Sequence, residues 1–150
     1  MKTKEITQNK TEIKISLKEH TELMKTGVGS WGNGYLEIPK GHIAHEYLMS
    51  CADKSSPHGF YETICGEEIT YSHIDEESVT IGFDTLHGYN NETHDKEYVV
   101  NKCNDMKDYF NSRLFKLNLI RDIKEDVSWH QEKIIELKEK IITIEKTFEQ

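Results

Sequence analysis

Two short groups of histidine and carboxylate side chains have spacings that could hold a metal ion. They are His42-x-x-His45-Glu46 and Asp84-x-x-His87. Zinc accepts imidazole nitrogens and carboxylate oxygens as ligands, so such a set could serve a small metal-dependent hydrolase. The alternative is that these histidines are surface or hydrogen-bonding residues, because no long helical pattern frames the first pair. We predict no bound metal and no cofactor, with the hydrolase as an alternative.

Aromatic and basic residues indicate a second kind of chemistry, the binding of a phosphate-bearing ligand. Phe83 ends a β-branched run and Tyr71 lies in the preceding apolar segment, so either ring could form an aromatic face. Arg113 is one of two arginines in the chain. Its planar guanidinium could hold a phosphate against such a face through two hydrogen bonds. A surface ion pair with Asp108 or Asp122 is the alternative for Arg113.

Nucleophilic catalysis is not indicated by any motif in the chain. The sequence contains no Gly-x-Ser-x-Gly elbow, no phosphate-binding Gly-x-x-x-x-Gly-Lys loop and no Gly-x-Gly-x-x-Gly fingerprint. Cys51, Cys65 and Cys103 lack neighbours that would lower a thiol pKa. We therefore predict that the three cysteines are small core residues, and we assign no catalytic residue.

The candidate site residues lie on or beside predicted strands. Val79, Ile81 and Phe83 alternate with polar or small residues, which is the period of a half-buried strand. Gly82 within this strand leaves a place where another group can approach the backbone closely. The predicted strands are Ile13–Leu17, Tyr35–Ile38, Phe60–Ile64, Ile69–Ile74 and Val79–Asp84. The last three predict a meander. With Asp75–Ser78 as the turn between the last two, these two predict an antiparallel pair with one buried face.

A glycine-rich loop and two short helices are predicted among these strands. Four glycines occur between Gly27 and Gly34, around Trp31. Such a segment is typical of an ordered loop, which either lines a pocket or forms a turn in which Trp31 plugs the edge of the core. One short helix is predicted to end near Gly27, and another to cover Ile43–Cys51.

The chain after Gly88 is predicted to be helical, because it contains neither glycine nor proline. Thr93 or Asp95 can cap a first helix that crosses the sheet with the apolar stripe Val99, Cys103, Met106, Phe110, Leu114 and Leu117. A second stripe, here called the seam, consists of Ile120, Ile123, Val127, His130, Ile134, Leu137, Ile141, Ile144 and Phe148. Its alternating three- and four-residue spacing predicts a coiled coil. A capping-box pattern at Ser128 and Gln131 leaves a rod and a helical hairpin as alternatives.

Composition limits the classes of partner. The chain has 150 residues and a net charge of −8, and its mean hydropathy is −0.72. An acidic surface argues against duplex nucleic acid and anionic membranes, and no apolar run is long enough to cross a bilayer. We predict a cytoplasmic α+β protein, a small antiparallel sheet followed by long C-terminal helices. Residues 1–112 would form the ligand-binding domain and residues 113–150 a helical oligomerisation segment.

Two blocks of the sequence resemble a group of small phage-encoded proteins. The shared patterns are Gly-Tyr-x-x-Ile-Pro-x-Gly-His, here Gly34 to His42, and Ile-Gly-Phe-Asp-x-x-His, here Ile81 to His87. Gly66 and Thr70-Tyr71 also fit, and the match covers about the central third of the chain. It departs between residues 43 and 65, where the spacing differs. Cys65 and Glu67 stand where histidine and glycine are expected.

An aromatic strand followed by an arginine-bearing helix also resembles the Thoeris anti-defence proteins, phage sponges that sequester cyclic ADP-ribose-type signals. The resemblance implies a homo-oligomer that binds a small nucleotide signal in the host cytosol without catalysis. It implies that Phe83 stacks on a base and that Arg113 holds phosphate. The predicted ligand-binding residues are His42, Tyr71, Phe83, Asp84, His87 and Arg113. The alternatives are the metal-dependent hydrolase and an interaction protein acting through its C-terminal helices.

Overall fold

The protein has an α+β fold in which an antiparallel sheet is followed by long helices. The computed structural model describes residues 11–22, 30–54, 63–86 and 93–148. The strands are β1 (Lys14–Glu19), β2 (Gly32–Pro39), β3 (Thr63–Ile64), β4 (Glu67–Glu68), β5 (Tyr71–Ile74) and β6 (Ser78–Phe83). The helices are α1 (Ile43–Lys54), α2 (Lys96–Asn111) and α3 (Arg113–Phe148). The chain divides into two compact units, Met1–Ser112 and Arg113–Gln150.

The main sheet has four antiparallel strands in the order β1-β2-β6-β5. Side chains alternate between its two faces, as strand geometry requires. We call the face packed against the helices the core face; its central residues are Gly34, Leu36, Ile38, Val79, Ile81 and Phe83. We call the other face the open face; it carries Asn33, Tyr35, Glu37, Tyr71, His73, Thr80 and Gly82. The predicted antiparallel sheet is therefore confirmed, but the strand at Thr63–Ile64 pairs with β4 in a separate two-stranded sheet, and β2 takes the place beside β6.

Strand β2 begins at Gly32, three residues earlier than predicted, so the end of the predicted glycine-rich loop is strand. A Cβ on Gly32 would lie 2.2 Å from the Lys18 carbonyl oxygen, and one on Gly34 would lie 2.4 Å from Cys103 Sγ. Glycine is needed at both positions because β1 and α2 pack directly against the β2 backbone. The first part of the predicted loop and the helix predicted before Gly27 lie outside the described residues.

Strands β5 and β6 are joined by the predicted turn at Asp75. Its Oδ1 accepts hydrogen bonds from the backbone N–H groups of Glu77 (2.8 Å) and Ser78 (2.7 Å). Its Oδ2 accepts a third from the Ser78 hydroxyl at 3.1 Å. These bonds lower the pKa of Asp75, the bond from Glu77 contributing most. The turn is thus fixed by its own side chain, as the Asp at this position predicts.

A small hairpin, β3–β4, precedes the main sheet strands β5 and β6, and its tight turn is formed by Cys65 and Gly66. Their φ angles are 52° and 86°, as in a type I′ turn, which favours Asn or Gly at the first position. Cysteine is strained there because its Cβ disfavours the left-handed region. Of the predicted strand Phe60–Ile64, the structure describes only Thr63 and Ile64.

We expect Cys65→Asn to stabilise the protein by about 0.5–1 kcal/mol, because asparagine tolerates this backbone conformation better than cysteine. Chemical unfolding in urea, with equal protein concentrations, measures the change. Cys51→Asn in α1 is the matched control, since the same substitution there relieves no left-handed φ. A lower unfolding midpoint for Cys65→Asn than for the wild type would contradict this expectation.

Helix α2 packs its predicted apolar stripe against the sheet, but the stripe ends earlier than predicted. Asp95 caps the helix by accepting a hydrogen bond from Tyr98 N at 2.8 Å. The buried residues of α2 are Val99, Cys103, Met106 and Phe110. Ser112 is extended and ends the helix, with its N–H and hydroxyl both donating to the Tyr109 carbonyl. Leu114 and Leu117 therefore belong to α3, where both are more than half exposed.

Helix α3 is one continuous helix of 36 residues. The predicted break near Ser128 is absent, so of the two predicted forms the structure shows the rod. Every residue from Arg121 to Lys146 is exposed, including the apolar seam residues within that range. Glu136 bonds Lys133 at 2.7 Å and Lys140 at 2.6 Å along one side of the helix, and such pairs support an isolated helix. No helix in the described residues is long and apolar enough to span a bilayer.

Candidate ligand-binding face

Two tyrosines form an aromatic pair on the open face of the sheet. Tyr35 and Tyr71 are the strand neighbours of Gly82 on its two sides. A Cβ on Gly82 would lie only 2.5 Å from the Tyr35 ring, so the ring lies directly over this glycine. The two rings meet edge to face with centroids 5.4 Å apart. Tyr71 is 45% exposed, which leaves a rigidly supported aromatic surface open to solvent.

A chain of hydrogen bonds positions Tyr35. His20 Nε2 donates to Asn33 Oδ1 at 2.7 Å, and Asn33 Nδ2 donates to the Tyr35 hydroxyl at 3.0 Å. His20 is buried, and its Nδ1 has no hydrogen-bond partner among the described residues; the same holds for the hydroxyl of Ser30. Since Nε2 carries the donated proton, Nδ1 of the neutral ring is an acceptor. The chain of hydrogen bonds thus fixes the amide of Asn33 and the hydroxyl of Tyr35 at the end of the open face.

Charged groups are placed on the same face. Lys18 lies opposite Asn33 in the pairing of β1 with β2, and its side chain is exposed. Lys14 instead pairs with Glu37 at 2.8 Å, which raises the pKa of Lys14 through that hydrogen bond. An ammonium group near an aromatic pair is suited to bind phosphate. Lys18 has this position, because it lies opposite Asn33 of the hydrogen-bond chain that holds Tyr35.

Asp84 follows β6 directly, two residues beyond Gly82. Its Oδ1 accepts a hydrogen bond from Leu86 N at 2.9 Å. The next residue, Thr85, is fully buried and donates its hydroxyl hydrogen to the Gly32 carbonyl at 2.8 Å. The end of β6 is therefore fixed to β2, and a carboxylate is held there. His87, the last residue of this predicted group, lies outside the described residues.

Phe83 occupies a different position from the one its predicted role requires. It lies on the core face, only 1% exposed, and a Cβ on Gly34 would be 2.8 Å from its ring. A base cannot stack on a ring that is packed on all sides, so the structure places the accessible ring at Tyr71 instead. Arg113 is the exposed first residue of α3, in the second compact unit, and its contact with phosphate remains a prediction.

The histidines of the predicted metal group have local structural contacts. Ala44 N donates to His42 Nδ1 at 3.0 Å, and His42 Nε2 donates to Asn111 Oδ1 at 3.2 Å. Both ring nitrogens of His42 are thus used where α1 begins and α2 ends. His45 is buried and donates from Nδ1 to Glu46 at 3.3 Å. Within the described residues, no three His, Cys, Asp or Glu side chains are placed to hold a metal ion.

Analysis of the sequence missed four residues of this face, Lys18, His20, Asn33 and Tyr35. Asn33 and Tyr35 alternate with Gly32 and Gly34, which is a strand pattern hidden inside a glycine-rich segment. Gly82 did indicate part of this face, because a glycine within a strand often marks a place where another group packs closely against the backbone. The group that approaches is the Tyr35 ring.

No protein family, curated protein or solved structure matches the chain. The class of protein is therefore defined by the fold and site alone. It is an α+β protein with an aromatic open sheet face and a separate, long, exposed helix.

Proposed function

We propose that the protein binds a small phosphate-bearing nucleotide on the open face and sequesters it without cleaving it. The proposed ligand is a cyclic nucleotide immune signal, of the cyclic ADP-ribose type or a cyclic oligonucleotide. In this proposal the protein is a phage anti-defence protein that acts in the host cytosol. The observation that carries the proposal is the exposed Tyr71 ring, held against Tyr35 over Gly82.

The chemistry of the face fits each part of a nucleotide. An exposed aromatic ring on a sheet can stack with a base, which contributes about 1–3 kcal/mol. Asn33, at the end of the hydrogen-bond chain, and the Asp84 carboxylate are suited to base-edge or ribose groups. Lys18 can pair with phosphate. The acidic net charge of −8 opposes an anionic ligand at long range, so the local lysine is required for binding.

Binding without cleavage is supported by how the ionisable groups of the face are used. His20 Nε2 holds Asn33, and Asp84 Oδ1 holds the turn after β6. These atoms orient the site, and neither is directed to activating a nucleophile. The sponge activity itself comes from the resemblance of an aromatic strand followed by an arginine-bearing helix to the Thoeris anti-defence proteins.

Calorimetry tests the proposal directly. With cyclic ADP-ribose isomers and cyclic di- and trinucleotides as probes, we expect Tyr71→Ala to weaken binding by roughly tenfold to a hundredfold, the cost of one stacked base. Tyr71→Phe keeps the ring and is the matched control, expected within a few-fold of wild type. Unchanged affinity of Tyr71→Ala would contradict the site. Chromatography of ligand released by heat should recover it intact, and a cleaved product would indicate an enzyme instead.

The second candidate is an interaction protein that assembles through α3. The observation in its favour is that apolar seam residues are each about half exposed: Ile120, Ile123, Val127, Ile134, Leu137 and Ile141. The helix that carries them contains no glycine or proline. An isolated apolar stripe with heptad spacing favours burial against a partner helix. A second copy of the chain supplies such a helix, so we propose a homo-oligomer. This assembly is compatible with nucleotide binding by the first unit.

A further inference from the structure

A pocket lies on the helical side of the first unit, where α1, α2 and the β3–β4 hairpin meet. Its volume is about 320 Å³, and its lining residues are Tyr47, Thr63, Ile64, Cys65, Tyr109 and Phe110. Each of the three elements contributes at least one of these residues. The volume is at the small end of the range for ligand sites, about 300–1,000 Å³, so the pocket suits a single small molecule.

The base of the pocket is apolar and rigid. Ile64 and Phe110 are buried core residues, so their positions are fixed by packing. Tyr109 is next to Phe110 in α2, with ring centroids 5.6 Å apart and an angle of 50° between the rings. With Tyr47 on α1, three aromatic rings surround one small volume. Such a set favours a flat ring that can contact several aromatic faces and edges.

The hairpin wall of the pocket is held in a strained conformation. Cys65 has a φ of 52°, and Lys102 on α2 donates to its carbonyl oxygen at 3.1 Å. Lys102 also lies 3.6 Å from the Glu67 carboxylate, which accepts a hydrogen bond from the Tyr98 hydroxyl. Strain of this kind persists where surrounding contacts enforce it, and it is found preferentially at binding sites. The strained turn is thus a second observation, independent of the cavity, at the same place.

The polar groups of the pocket are all uncharged. Three side chains carry hydroxyl groups, and the thiol of Cys65 stays protonated because burial raises its pKa. None of the six lining residues is acidic or basic. A charged ligand group would find no counter-ion among these lining side chains, which makes its desolvation unfavourable.

We infer that this pocket binds a neutral, planar aromatic molecule with one ring system and a polar edge, of the size of phenol to indole. The site is separate from the open face and takes a different chemical class of ligand. It therefore does not rest on the proposed nucleotide function. Hydroxyl groups of the lining match the polar edge, and the three rings match the flat apolar body.

Indole is the probe for the test, titrated into the full-length protein while methyl NMR signals of isoleucine are recorded. We expect saturable shifts of Ile64, at the pocket, with little change at Ile141 in α3. Tyr109→Leu, which removes one ring, should weaken binding about tenfold, the effect of one stacking partner. Tyr71→Leu on the open face is the matched control and should bind indole as the wild type does. Indole-3-carboxylate, which adds a charge, should bind at least tenfold more weakly.

Thr63→Trp supplies a second variant whose fold is less at risk, because Thr63 is exposed at the pocket rim. A tryptophan there should occupy the pocket and abolish the Ile64 shifts, with the Ile81 signal reporting an intact core. The inference is overturned if Ile64 does not respond to indole, or if both Tyr109→Leu and Thr63→Trp bind it as the wild type does. Equal binding of the charged analogue would overturn the assignment to neutral ligands.

Discussion

Replacing Phe83 with alanine is expected to lower the free energy of unfolding by about 3–5 kcal/mol, the usual cost of truncating a buried Phe. The ring is 1% exposed and packs in the space left by Gly34, close to the position of Cys103 on α2. Its removal leaves a cavity between the sheet and the helix that these tightly packed elements cannot close. The loss is large because apolar contact and packing disappear together.

Urea unfolding at a fixed protein concentration measures this loss, and Tyr71→Ala is the matched control. Tyr71 is a partly exposed aromatic residue in the neighbouring strand, so its truncation should cost about 1 kcal/mol or less. The pair separates the two roles of aromatic residues in this sheet. If Phe83→Ala unfolds like the wild type but loses nucleotide binding, Phe83 is a ligand contact and its burial changes on binding.

The core position of Phe83 follows from strand alternation. Val79, Ile81 and Phe83 share one face by period two, and a face carrying Val and Ile is the one that packs against helices. To stack on a ligand, Phe83 would have to lie on the opposite face from Val79 and Ile81, which strand alternation does not allow. The residue available for stacking is Tyr71, which lies opposite Gly82 in the pairing of β5 with β6. Identifying it requires knowing which strands are neighbours in the sheet. The order β1-β2-β6-β5 supplies that information, and local pattern does not.

The same limitation explains why Asn33 was not assigned to the site. Glycine at positions 32 and 34 lowers the local tendency to form a strand, so the segment is typical of a loop when considered alone. The structure shows that both glycines allow close packing, against the Lys18 backbone and the Cys103 side chain. Contacts between residues so distant in sequence decide the conformation of this segment.

The end of α2 shows that a capping pattern in the sequence does not by itself locate the end of a helix. Ser128 resembled a cap, yet α3 continues through it, because the heptad pattern is helical on both sides. Ser112 adopts an extended conformation and donates hydrogen bonds from both its N–H and its hydroxyl to the Tyr109 carbonyl oxygen. The stripe of α2 is buried up to Phe110, and packing of that stripe sets where the helix ends. Helix content was therefore predictable from composition, whereas the break was not.

Substituting two seam residues with aspartate, Ile134→Asp and Leu137→Asp together, is expected to convert the proposed homo-oligomer into a monomer. Both residues are about half exposed on α3, at successive core positions of the heptad pattern. The six seam residues named above are each about half exposed, so pairing two copies of α3 would remove an apolar stripe on both chains from water.

The expected effect is large because two carboxylates per chain would be buried in an apolar seam without counter-ions. Their desolvation costs several kcal/mol, which exceeds what the remaining seam can offset. Light scattering on the full-length protein over a range of concentrations measures the mass. We expect the double variant to have the mass of one chain, about 17.5 kDa, at concentrations where the wild type is larger.

Ile135→Asp with Ile142→Asp is the matched control for this experiment. Both residues are exposed apolar residues of the same helix, but they lie outside the seam, one position after Ile134 and Ile141. The same change in charge and helix propensity should therefore leave the oligomer assembled. Circular dichroism should show comparable helix content for the two double variants, which separates loss of assembly from loss of helix. A wild-type chain that is already monomeric, or a seam variant with unchanged mass, would contradict assembly through α3.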